Sequence, residues 1–572
     1  MDYTIIIGGE AGQGIQTIGD TLAIIFAKSG YHIFTNQDYE SRIRGGHNFY
    51  KIRFSDKTIM CSKSALDIVV ALDKESILRY EKNLTEYGQI IYDSKFLNVK
   101  YEGNKYLDVP FMNLAVEHGG NKIMSNTVAT GAVLGMLGMD IDVLINILKN
   151  TFKKKGDEII KSNVNSAMAG YDYAVKNCIK CSFSAAELSN SKMVIAGNDA
   201  IGFGAVASGL KFYSAYPMTP GTSIMLYVAS KAKEYGIIVE QAEDEIAAIN
   251  MALGASFAGV RAMTGTSGGG FALMVEGLSL AAITETPIVI AIAQRPGPAT
   301  GLPTKTAQAD LLFALYSAHG EFPRVIFAPG SPEECFFLTN KAFDIAEKYQ
   351  IPVIILTDQY LADSQWTYEG FDLSKLKYTD YRIRGEAFAN LTEYKRHLLT
   401  ENGISPLAVP GHGPHVVVTD SDEHDEEGHI TEDADLAIKM AQKRFYKKLP
   451  SIINEIDPPK YYGKKSAQIL LVGWGSMYGL LKEAVDILLK DHKIAMLHFS
   501  EIYPMASTEK LDYIKLLKKA KKAICIEQNM TGQLANLIAT ETGFRFKDKI
   551  NKHDGRPFTL EQLVGEINAI IR

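Results

Sequence analysis

Apolar segments of strand length alternate with helical segments through most of this chain, and this alternation limits the folds that it can adopt. The clearest strands predicted in its middle part lie at 237–239, 287–293, 325–328 and 353–357. Short apolar runs bounded by glycine or proline are typical of buried strands. Strands that alternate with helices form parallel sheets with helices on both faces. We therefore predict an α/β fold, and the length of 572 residues predicts about three to four domains.

Composition and charge argue against several functional classes. The net charge is −6 and the basic residues are dispersed, which argues against a nucleic-acid surface. No apolar run has the length and flanks of a membrane-spanning helix, and the N-terminus starts with a strand rather than a signal peptide. Five cysteines in a chain of this length indicate a reducing compartment rather than a disulfide framework. We therefore expect a cytoplasmic protein without a membrane or nucleic-acid partner.

A carboxylate stands at the start of the helix that is predicted to follow strand 237–239. Glu245, Ala248 and Ala252 recur at i, i+3 and i+7, which places them on one helical face. A glutamate on an alanine-lined face can meet a flat ring closely and exchange a proton with it. The alternative interpretation is an acidic helix N-terminus that faces water, which the helix dipole favours. Glu243 is the competing candidate for the same role.

Arg295 follows the apolar strand 287–293, at the end of the strand where open α/β sheets bind their ligands. The fork of an arginine pairs with a carboxylate through two parallel hydrogen bonds. The loop that follows is rich in glycine and proline and carries Thr304, and Lys305 beside it is a weaker candidate for a second carboxylate. The alternative is an arginine in a proline-rich surface turn. The pattern favours a carboxylate-binding site.

The N-terminal segment predicts a separate anion site. A strand at 3–7 is followed by a turn with Gly12 and Gly14, and then by a helix at 15–27. A glycine-rich turn at a helix N-terminus presents backbone N–H groups and the positive end of the helix dipole to an anion. The order of the glycines differs from the dinucleotide fingerprint, and a plain tight turn is the alternative.

Three further segments carry candidate binding residues. Arg42 and Arg44 lie in a glycine-rich loop, as a second anion contact or as subunit contacts. Residues 125–127 read Ser-Asn-Thr before a helix of small residues, which predicts a helix cap that also faces the anion site. The turn at 264–270, which contains Gly268, lies between a strand and a helix. It either lets a cofactor ring approach the backbone or packs the strand tightly against the helix.

Three motifs, taken in sequence order, resemble one enzyme family. They are Tyr216-Pro-Met-Thr-Pro, the helix around Glu245, and Gln294-Arg-Pro-Gly followed by Leu302-Pro-Thr-Lys-Thr. Together they resemble the pyrimidine-binding half of a thiamine diphosphate enzyme, in particular the α subunit of the 2-oxoacid:ferredoxin oxidoreductases. The N-terminal Gly12-Gln-Gly, followed later by Arg-Gly-Gly, resembles the γ domain of the same family, here fused in front.

The resemblance implies a role for each of these motif residues. It implies that Glu245 activates thiamine diphosphate, with Pro217 and Gly268 beside the cofactor. It implies that the residues that bind a 2-oxoacid are Tyr216, Thr219, Arg295 and Thr304. It implies that the phosphates of coenzyme A are bound by Gly12, Gly14, Arg42 and Arg44. The implied reaction is coenzyme A-dependent oxidative decarboxylation, and the run after Gln294 looks most like 2-oxoglutarate enzymes, with pyruvate or a broad range of 2-oxoacids left open.

Half of the expected enzyme has no counterpart in this sequence. The Gly-Asp-Gly pattern with which the superfamily binds diphosphate and magnesium does not occur, and no motif supplies four cysteines for a cluster. The resemblance therefore implies a partner β subunit with the diphosphate, Mg²⁺ and [4Fe-4S] sites, in a hetero-oligomer that passes electrons to ferredoxin. Two other classes remain open. One is a dinucleotide-dependent dehydrogenase built on the N-terminal glycine turn, and the other is a non-catalytic assembly subunit.

The predicted domain order combines these motifs with the breaks in the alternation. It is a γ domain at 1–183, a linker at 184–192, a pyrimidine-type thiamine diphosphate domain at 193–370, a connecting segment at 371–460 and a transketolase C-terminal-like domain at 461–572. Cys178 and Cys181 make half of a metal site at the first boundary, without a second pair nearby. The run 412–429 is rich in His and acidic residues but lacks an established ligand spacing, so we read it as a polar loop. No metal ligand is predicted in the chain.

Overall fold

The computed structural model describes residues 1–41, 45–178, 183–185, 188 and 190–572. These residues form two compact units. The first unit consists of Met1–Ile195 and two later segments, Ser364–Gly370 and Phe558–Gly565. The second unit consists of Ala196–Asp363, Phe371–Pro557 and Glu566–Arg572.

Strands and helices alternate as the sequence predicts, and each of the four strands predicted in the middle of the chain overlaps an observed one. The strands, numbered in chain order, are β1 (Asp2–Glu10), β2 (His32–Asp38), β3 (His47–Ser55), β4 (Leu66–Ala71), β5 (Leu84–Tyr92), β6 (Tyr106–Asp108), β7 (Met193–Ala196), β8 (Leu210–Ala215), β9 (Ile238–Gln241), β10 (Arg261–Thr266), β11 (Ile288–Gln294), β12 (Val325–Phe327), β13 (Pro352–Asp358), β14 (Gln365–Tyr368), β15 (Arg382–Ile383), β16 (Leu407–Ala408), β17 (Lys460–Gly463), β18 (Ile469–Trp474), β19 (Ile494–Phe499), β20 (Glu501–Tyr503), β21 (Lys522–Glu527) and β22 (Asp548–Asn551). The α-helices are α1 (Ile15–Lys28), α2 (Lys74–Tyr80), α3 (Ser94–Leu97), α4 (Phe111–Gly119), α5 (Ser125–Leu137), α6 (Asp142–Phe152), α7 (Asp157–Asn177), α8 (Gly197–Ala207), α9 (Thr222–Tyr235), α10 (Glu245–Phe257), α11 (Gly268–Ile283), α12 (Leu311–Tyr316), α13 (Pro332–Tyr349), α14 (Gln359–Asp363), α15 (Gly385–Ala389), α16 (Ala434–Gln442), α17 (Leu449–Glu455), α18 (Met477–Leu488), α19 (Tyr513–Lys519), α20 (Gln533–Thr542) and α21 (Leu560–Ile571).

A mixed eight-stranded sheet forms the centre of the first unit, in the order β6-β5-β4-β1-β3-β2-β14-β7. The strands β6, β5, β4 and β1 are parallel, as predicted. The next pairs differ from the prediction, because β3 is antiparallel to both β1 and β2. The connection from β2 to β3 is short, and a short connection can join only antiparallel neighbours. Helix α1 covers this sheet with Ile18, Leu22 and Phe26, which recur every fourth residue and are fully buried.

Strand β14 belongs to the first unit although it lies far along the chain. Trp366 of β14 pairs with Phe34 of β2, and their ring centroids are 5.2 Å apart. The backbone N–H of Ile33 donates to the hydroxyl of Thr367 at 3.0 Å. The sequence-based division assigned residues 364–370 to the domain at 193–370. The structure groups them with the first sheet, since an exposed sheet edge gains backbone hydrogen bonds from any strand that reaches it.

Two large sheets form the second unit, which also contains the small parallel sheet of β15 and β16. The seven-stranded sheet has the order β20-β12-β13-β11-β10-β8-β9, and all its pairs are parallel except β12 with β20. The five-stranded sheet has the order β17-β19-β18-β21-β22 and is parallel except for β17 with β19. Every residue of β11 is buried, and residues of both sheets share one apolar cluster. Because such strands are covered on both faces, ligands reach them at the strand ends.

Charged contacts hold the irregular segment 371–460 within the second unit. The ammonium groups of Lys443 and Lys448 each lie 2.6 Å from the buried carboxylate of Glu285, which follows α11. The fully buried ring of His397 lies 3.5 Å from the same carboxylate. Burial alone would raise the pKa of Glu285, but Lys448 and Lys443 hold that pKa well below its usual value. The cluster therefore fixes two parts of this segment to the end of α11.

The polar run 412–429 contains a turn that one aspartate organises. The carboxylate of Asp425 accepts hydrogen bonds from the backbone N–H groups of Glu427 and His429, both at 2.9 Å. This turn brings the three side chains close together. Exposed acidic turns of this kind are common without an ion, and the turn alone explains their proximity.

Two other observations complete the fold. The predicted cap at residues 125–127 was wrong: α5 begins at Ser125 itself, and Asn121 caps the short helical turn before it by accepting from the N–H of Ile123. Within the part of the chain that the structure describes, no helix is both long enough and apolar enough to span a lipid bilayer.

Candidate active site

Glu245 is a buried carboxyl at the first turn of α10. The preceding Asp244 caps this helix, because its carboxylate accepts a hydrogen bond from the N–H of Ala247 at 2.7 Å. Glu245 is only 2% exposed, and Ala248 and Ala252 are fully buried on the same face. Glu243, the competing candidate, is exposed. The carboxyl oxygen Oε1 of Glu245 is buried and has no hydrogen-bond partner among the described residues.

The turn between β10 and α11 lies against this carboxyl. A Cβ atom at Gly270 would overlap both Oε1 of Glu245 and the hydroxyl oxygen of Thr266. The hydroxyl groups of Thr266 and Ser267 are buried, and the described residues offer them no hydrogen-bond partner. Unsatisfied buried polar atoms are rare in native proteins and call for a partner such as a ligand. Glycine at this turn therefore leaves space at a group of polar atoms that a bound ring could satisfy.

Arg295 follows β11 and approaches the same place. Its Nη1 donates a hydrogen bond to the main-chain carbonyl of Thr219 at 2.7 Å, while its buried Nε finds no acceptor in the described structure. Burial lowers the pKa of the Arg295 guanidinium, and the charges of Asp310 and Glu245 oppose this effect. The structure thus brings Arg295, Thr219 and Glu245 together. The contact with Thr219 is made by its backbone.

The other predicted substrate residues lie on the two loops that lead into this site. Tyr216 follows β8 and is 41% exposed, and Pro217 beside it is half-buried. Thr304 is buried in the loop between β11 and α12. Burial, with a further contribution from Arg556, lowers the pKa of the neighbouring Lys305 to about 8.

Asp310 is a site residue that sequence reasoning missed. Its carboxyl lies against Gly268, where a Cβ atom would overlap both carboxyl oxygens. Burial raises the pKa of Asp310 to about 6, against the lowering effect of Arg295. One signal could have found it: Asp310 is the only acidic residue in the loop from Arg295 to the start of α12.

The five-stranded sheet holds this loop through Gln308. The side chain of Gln308 is fully buried, donates to the carbonyl of Trp474 at 2.9 Å and accepts from the N–H of Gln528 at 3.1 Å. Its own backbone N–H donates to the carbonyl of Gln528 at 2.8 Å, and Asn529 donates to its carbonyl at 2.9 Å. The sequence assigned no catalytic role to this part of the chain, and its contribution here is to fix the loop.

A second candidate site lies at the glycine turn of the first unit. Gly12 and Gly14 have φ angles of 90° and 82°, and Gly14 precedes α1. They line a cavity of about 570 Å³, together with Tyr39 and Tyr50. A neighbouring cleft of about 220 Å³ is lined by Gly12 and Asn126 and by apolar side chains. The acidic residues Glu10, Asp38 and Glu40 also line the larger cavity, and anion binding at this turn stays a prediction.

Three predicted residues fall outside the part of the chain that the structure describes. They are Arg42, Arg44 and Cys181. The cysteines Cys61, Cys335 and Cys525 are buried.

Comparison with known proteins places both units in one family. Residues 4–173 match the family described as "Pyruvate ferredoxin/flavodoxin oxidoreductase", and residues 203–443 match "Pyruvate flavodoxin/ferredoxin oxidoreductase, thiamine diP-bdg". The α subunit of 2-oxoacid:ferredoxin oxidoreductase from Sulfolobus sp is 32% identical, over 100% of this chain and 97% of that protein. The 2-oxoglutarate oxidoreductase subunit KorA from Mycobacterium tuberculosis is 28% identical, over 94% of this chain and 87% of the relative.

A solved structure has the same fold over its whole length. It is the 2-oxoglutarate:ferredoxin oxidoreductase from Magnetococcus marinus with 2-oxoglutarate, coenzyme A and succinyl-CoA bound. The TM-score is 0.91 with 31% sequence identity, and the match covers 100% of both chains. The chain therefore belongs to the 2-oxoacid:ferredoxin oxidoreductases, as an α subunit that carries a γ-type domain in front.

Proposed function

We propose that this chain supplies the aminopyrimidine and substrate half of a thiamine diphosphate site, and that the enzyme converts 2-oxoglutarate and coenzyme A to succinyl-CoA with electrons passed to ferredoxin. One observation carries the proposal. A buried carboxyl oxygen of Glu245, without a partner among the described residues, faces the glycine turn at Gly270, and the guanidinium of Arg295 interacts with this carboxyl. A carboxyl, a slim turn and a guanidinium are the three groups that a cofactor ring and a carboxylate substrate require.

The residues present fit thiamine diphosphate. The Glu245 carboxyl is placed to share a proton with a ring nitrogen of the aminopyrimidine, and Gly268 and Gly270 give the ring access to the turn. Pro217 lies at the entrance from β8. When bound, the cofactor supplies the activated carbon and the electron sink for decarboxylation. The chain itself orients the ring and holds the proton at Glu245.

The substrate carboxylate is assigned to Arg295. Its guanidinium is anchored by the carbonyl of Thr219, so the fork is held in place before the substrate arrives. Tyr216, Thr219 and Thr304 are the further contacts proposed. Lys305 is the candidate for the second carboxylate that distinguishes 2-oxoglutarate from pyruvate, and pyruvate or a broader range is the alternative. The bound molecules of the Magnetococcus marinus structure support 2-oxoglutarate.

Coenzyme A is assigned to the glycine turn of the first unit. The backbone N–H groups near Gly12 and Gly14 and the positive end of α1 suit its phosphates, and the cavity of about 570 Å³ leaves room for them. Arg42 and Arg44 are the further residues proposed to bind these phosphates.

The partner subunit is also part of the proposal. The relatives are named as α subunits, which supports a multi-subunit enzyme. We assign the diphosphate, Mg²⁺ and [4Fe-4S] sites to a β subunit. We propose that ferredoxin accepts the electrons and that the enzyme is cytoplasmic. An assembly subunit without catalytic residues is the alternative.

The test uses the complete enzyme, purified without oxygen from its native cell. Coenzyme A-dependent reduction of a viologen dye is measured with 2-oxoglutarate, pyruvate and other 2-oxoacids. We expect 2-oxoglutarate to be the best substrate, Glu245→Gln to abolish turnover and Arg295→Ala to raise KM by about 100-fold, the scale of a lost charge-assisted bidentate contact. The exposed Glu243→Gln is the matched control and retains activity. Full turnover in Glu245→Gln would favour the non-catalytic alternative.

A further inference from the structure

Asp310 occupies a capping position that it does not use. It is the residue before α12, but its side chain accepts no hydrogen bond from that helix within the described structure. An aspartate at this position ordinarily accepts one from the first turn. Its carboxyl instead lies against Gly268 at the start of α11. The side chain therefore faces the turn that also contacts Glu245, two residues further along at Gly270.

The backbone around Asp310 is held firmly. Its N–H donates to Oε1 of Gln294 at 3.0 Å. The side chain of Gln533 in α20 accepts from the N–H of Leu312 at 2.9 Å and donates to the carbonyl of Ala309 at 2.7 Å. The carboxyl oxygen Oδ2 nevertheless stays buried with no hydrogen-bond partner among the described residues. A fixed polar atom that is left unsatisfied costs free energy, which a ligand in the site would recover.

Among the residues that the structure describes, one charged group acts on the pKa of Asp310. It is Arg295, whose guanidinium also interacts with Glu245. The other elements around Asp310 contribute neutral groups, namely Gly268 of α11, Gln294 of β11 and Gln533 of α20, and α12 has no charged residue. Two carboxyl groups thus share one guanidinium. A substrate carboxylate that binds Arg295 would add a third negative charge unless one of the two carboxyls is neutral.

We propose that Asp310 is a further substrate-binding residue that acts as a neutral carboxylic acid and donates a hydrogen bond from its carboxyl to the substrate carboxylate held by Arg295. This proposal rests on the function proposed above. It gives the unpartnered oxygen of Asp310 a role and removes the excess negative charge. It also places a hydrogen-bond donor where the loop between β11 and α12 brings the carboxyl of Asp310 against the glycine turn of α11.

Substrate binding should then take up a proton. Before a substrate binds, Arg295 favours the ionised form of Asp310 and so opposes the effect of burial, and the pKa of Asp310 is about 6. A bound carboxylate neutralises Arg295 and removes that opposition, so the pKa of Asp310 rises further. At neutral pH the binding of one carboxylate is therefore coupled to the uptake of one proton from solvent by Asp310.

The experiment measures this proton on the complete enzyme. The probe is 2-hydroxyglutarate, which keeps both carboxylates of 2-oxoglutarate but has no oxo group. Calorimetry at pH ~8 in two buffers of different ionisation enthalpy gives the number of protons taken up. In parallel, the KM for 2-oxoglutarate is measured between pH ~6 and ~8 for wild type, Asp310→Asn and Asp310→Ala. The matched control is Glu501→Gln. Burial raises the pKa of Glu501 to about 7, although the charge of Lys341 acts to lower it. Glu501 lies in β20, at the edge of the seven-stranded sheet.

The expected result is uptake of about one proton by wild type and by Glu501→Gln, and none by Asp310→Asn. The wild-type KM should rise by about tenfold per pH unit above the pKa of Asp310. The KM of Asp310→Asn should not change with pH. The KM of Asp310→Ala should also not change with pH, but it should be higher, because this variant binds the substrate more weakly. The same proton uptake and KM slope in Asp310→Asn would overturn the proposal. A wild-type KM that does not change with pH, without proton uptake on binding, would overturn the proposal even if the variants fail to fold. Wild-type enzyme that turns over no 2-oxoacid overturns the proposed function instead.

Discussion

Gln308 and Trp474 are joined by a hydrogen bond of 2.9 Å from the side-chain amide of Gln308 to the carbonyl at the end of β18. This bond connects the loop that carries Thr304 and Asp310 to the five-stranded sheet. Nearby, the buried carboxylate of Glu527 accepts from the indole N–H of Trp474 at 3.1 Å and from the N–H of Leu534 at 2.9 Å. The strand ends of the five-stranded sheet thus hold the loop between β11 and α12 of the seven-stranded sheet.

Replacing Gln308 by methionine should therefore affect substrate binding as well as stability. Gln308→Met keeps the volume but removes the bonds to Trp474 and Gln528, which costs about 1–3 kcal/mol. We expect KM for the 2-oxoacid to rise by about tenfold, with a smaller change in the amount of thiamine diphosphate needed for activity.

The control is Gln350→Met in the same unit. Gln350 is also buried, donates to the carbonyl of Ser405 and accepts from Arg396 at 2.8 Å. It should lose a similar amount of stability without a change in KM. Equal KM values in the two variants would show that the loop does not depend on Gln308.

The glycine turn of α11 should tolerate no side chain. In Gly270→Ala the new methyl group would overlap the Glu245 carboxyl and the Thr266 hydroxyl. We expect the apparent affinity for thiamine diphosphate to fall by roughly tenfold or more, because crowding costs about 1–3 kcal/mol. Activity is titrated against added cofactor after its removal. Gly565→Ala in α21 is the matched helix control, since no described atom lies within 4 Å of its new methyl group. Unchanged cofactor affinity in Gly270→Ala would remove the role assigned to this turn.

The glycine turn of the first unit should affect the binding of coenzyme A and not that of the 2-oxoacid. Gly14 has a φ of 82°, and a Cβ there would overlap the side chain of Asn126. Gly138, at the end of α5, has a φ of 63° and no described atom within 4 Å of a new Cβ. Both alanine variants should lose about 1–2 kcal/mol of stability. Only Gly14→Ala should raise the KM for coenzyme A, and neither should change the KM for the 2-oxoacid. A normal KM for coenzyme A in Gly14→Ala would contradict the assignment.

The buried carboxylate of Glu285 should dominate the acid stability of the second unit. Lys448 and Lys443 hold its pKa well below the usual value, so its contribution is present above about pH 4.5 and is lost as the pH falls through the lowered pKa. Glu285→Gln should cost about 3–5 kcal/mol at neutral pH because it leaves two buried ammonium groups without their partner. Its stability should then depend less on pH in the acid range.

Thermal melting between neutral and acid pH measures this difference. Glu276→Gln, an exposed acid in α11, is the control and should change the free energy of unfolding by less than about 0.5 kcal/mol. Parallel pH profiles for wild type and Glu285→Gln would exclude Glu285 as the group responsible.

Local periodicity predicted the elements that depend on neighbouring residues. The strand before Arg295 and the alanine face of Glu245 follow from spacings of a few residues, and the structure shows both. The antiparallel half of the first sheet and the place of β14 were not predictable in this way. The place of β14 depends on pairing between residues more than 300 positions apart, as in Ile33 with Thr367. The antiparallel strands β1, β2 and β3 lie within the first 55 residues, but their pairing depends on the length of each connection rather than on periodicity.

Asp310 was missed for a related reason. Its role depends on Gly268, Arg295 and Gln533, which reach it from three different elements, and no local pattern contains all of them. Ser125 was misassigned because a Ser-Asn-Thr run marks a helix start but does not fix which residue begins the helix.

Strand β14 and residues 558–565 belong to the first unit but are synthesised late, and this affects how the protein folds on the ribosome. The strand that pairs with β2 is synthesised about 170 residues after Ile195, a delay of roughly 10–30 s at ordinary elongation rates. Until then the edge of β2 is open to other strands. A gene truncated after residue 195 would leave that edge open permanently, so we expect the N-terminal fragment to aggregate unless residues 364–370 are supplied with it.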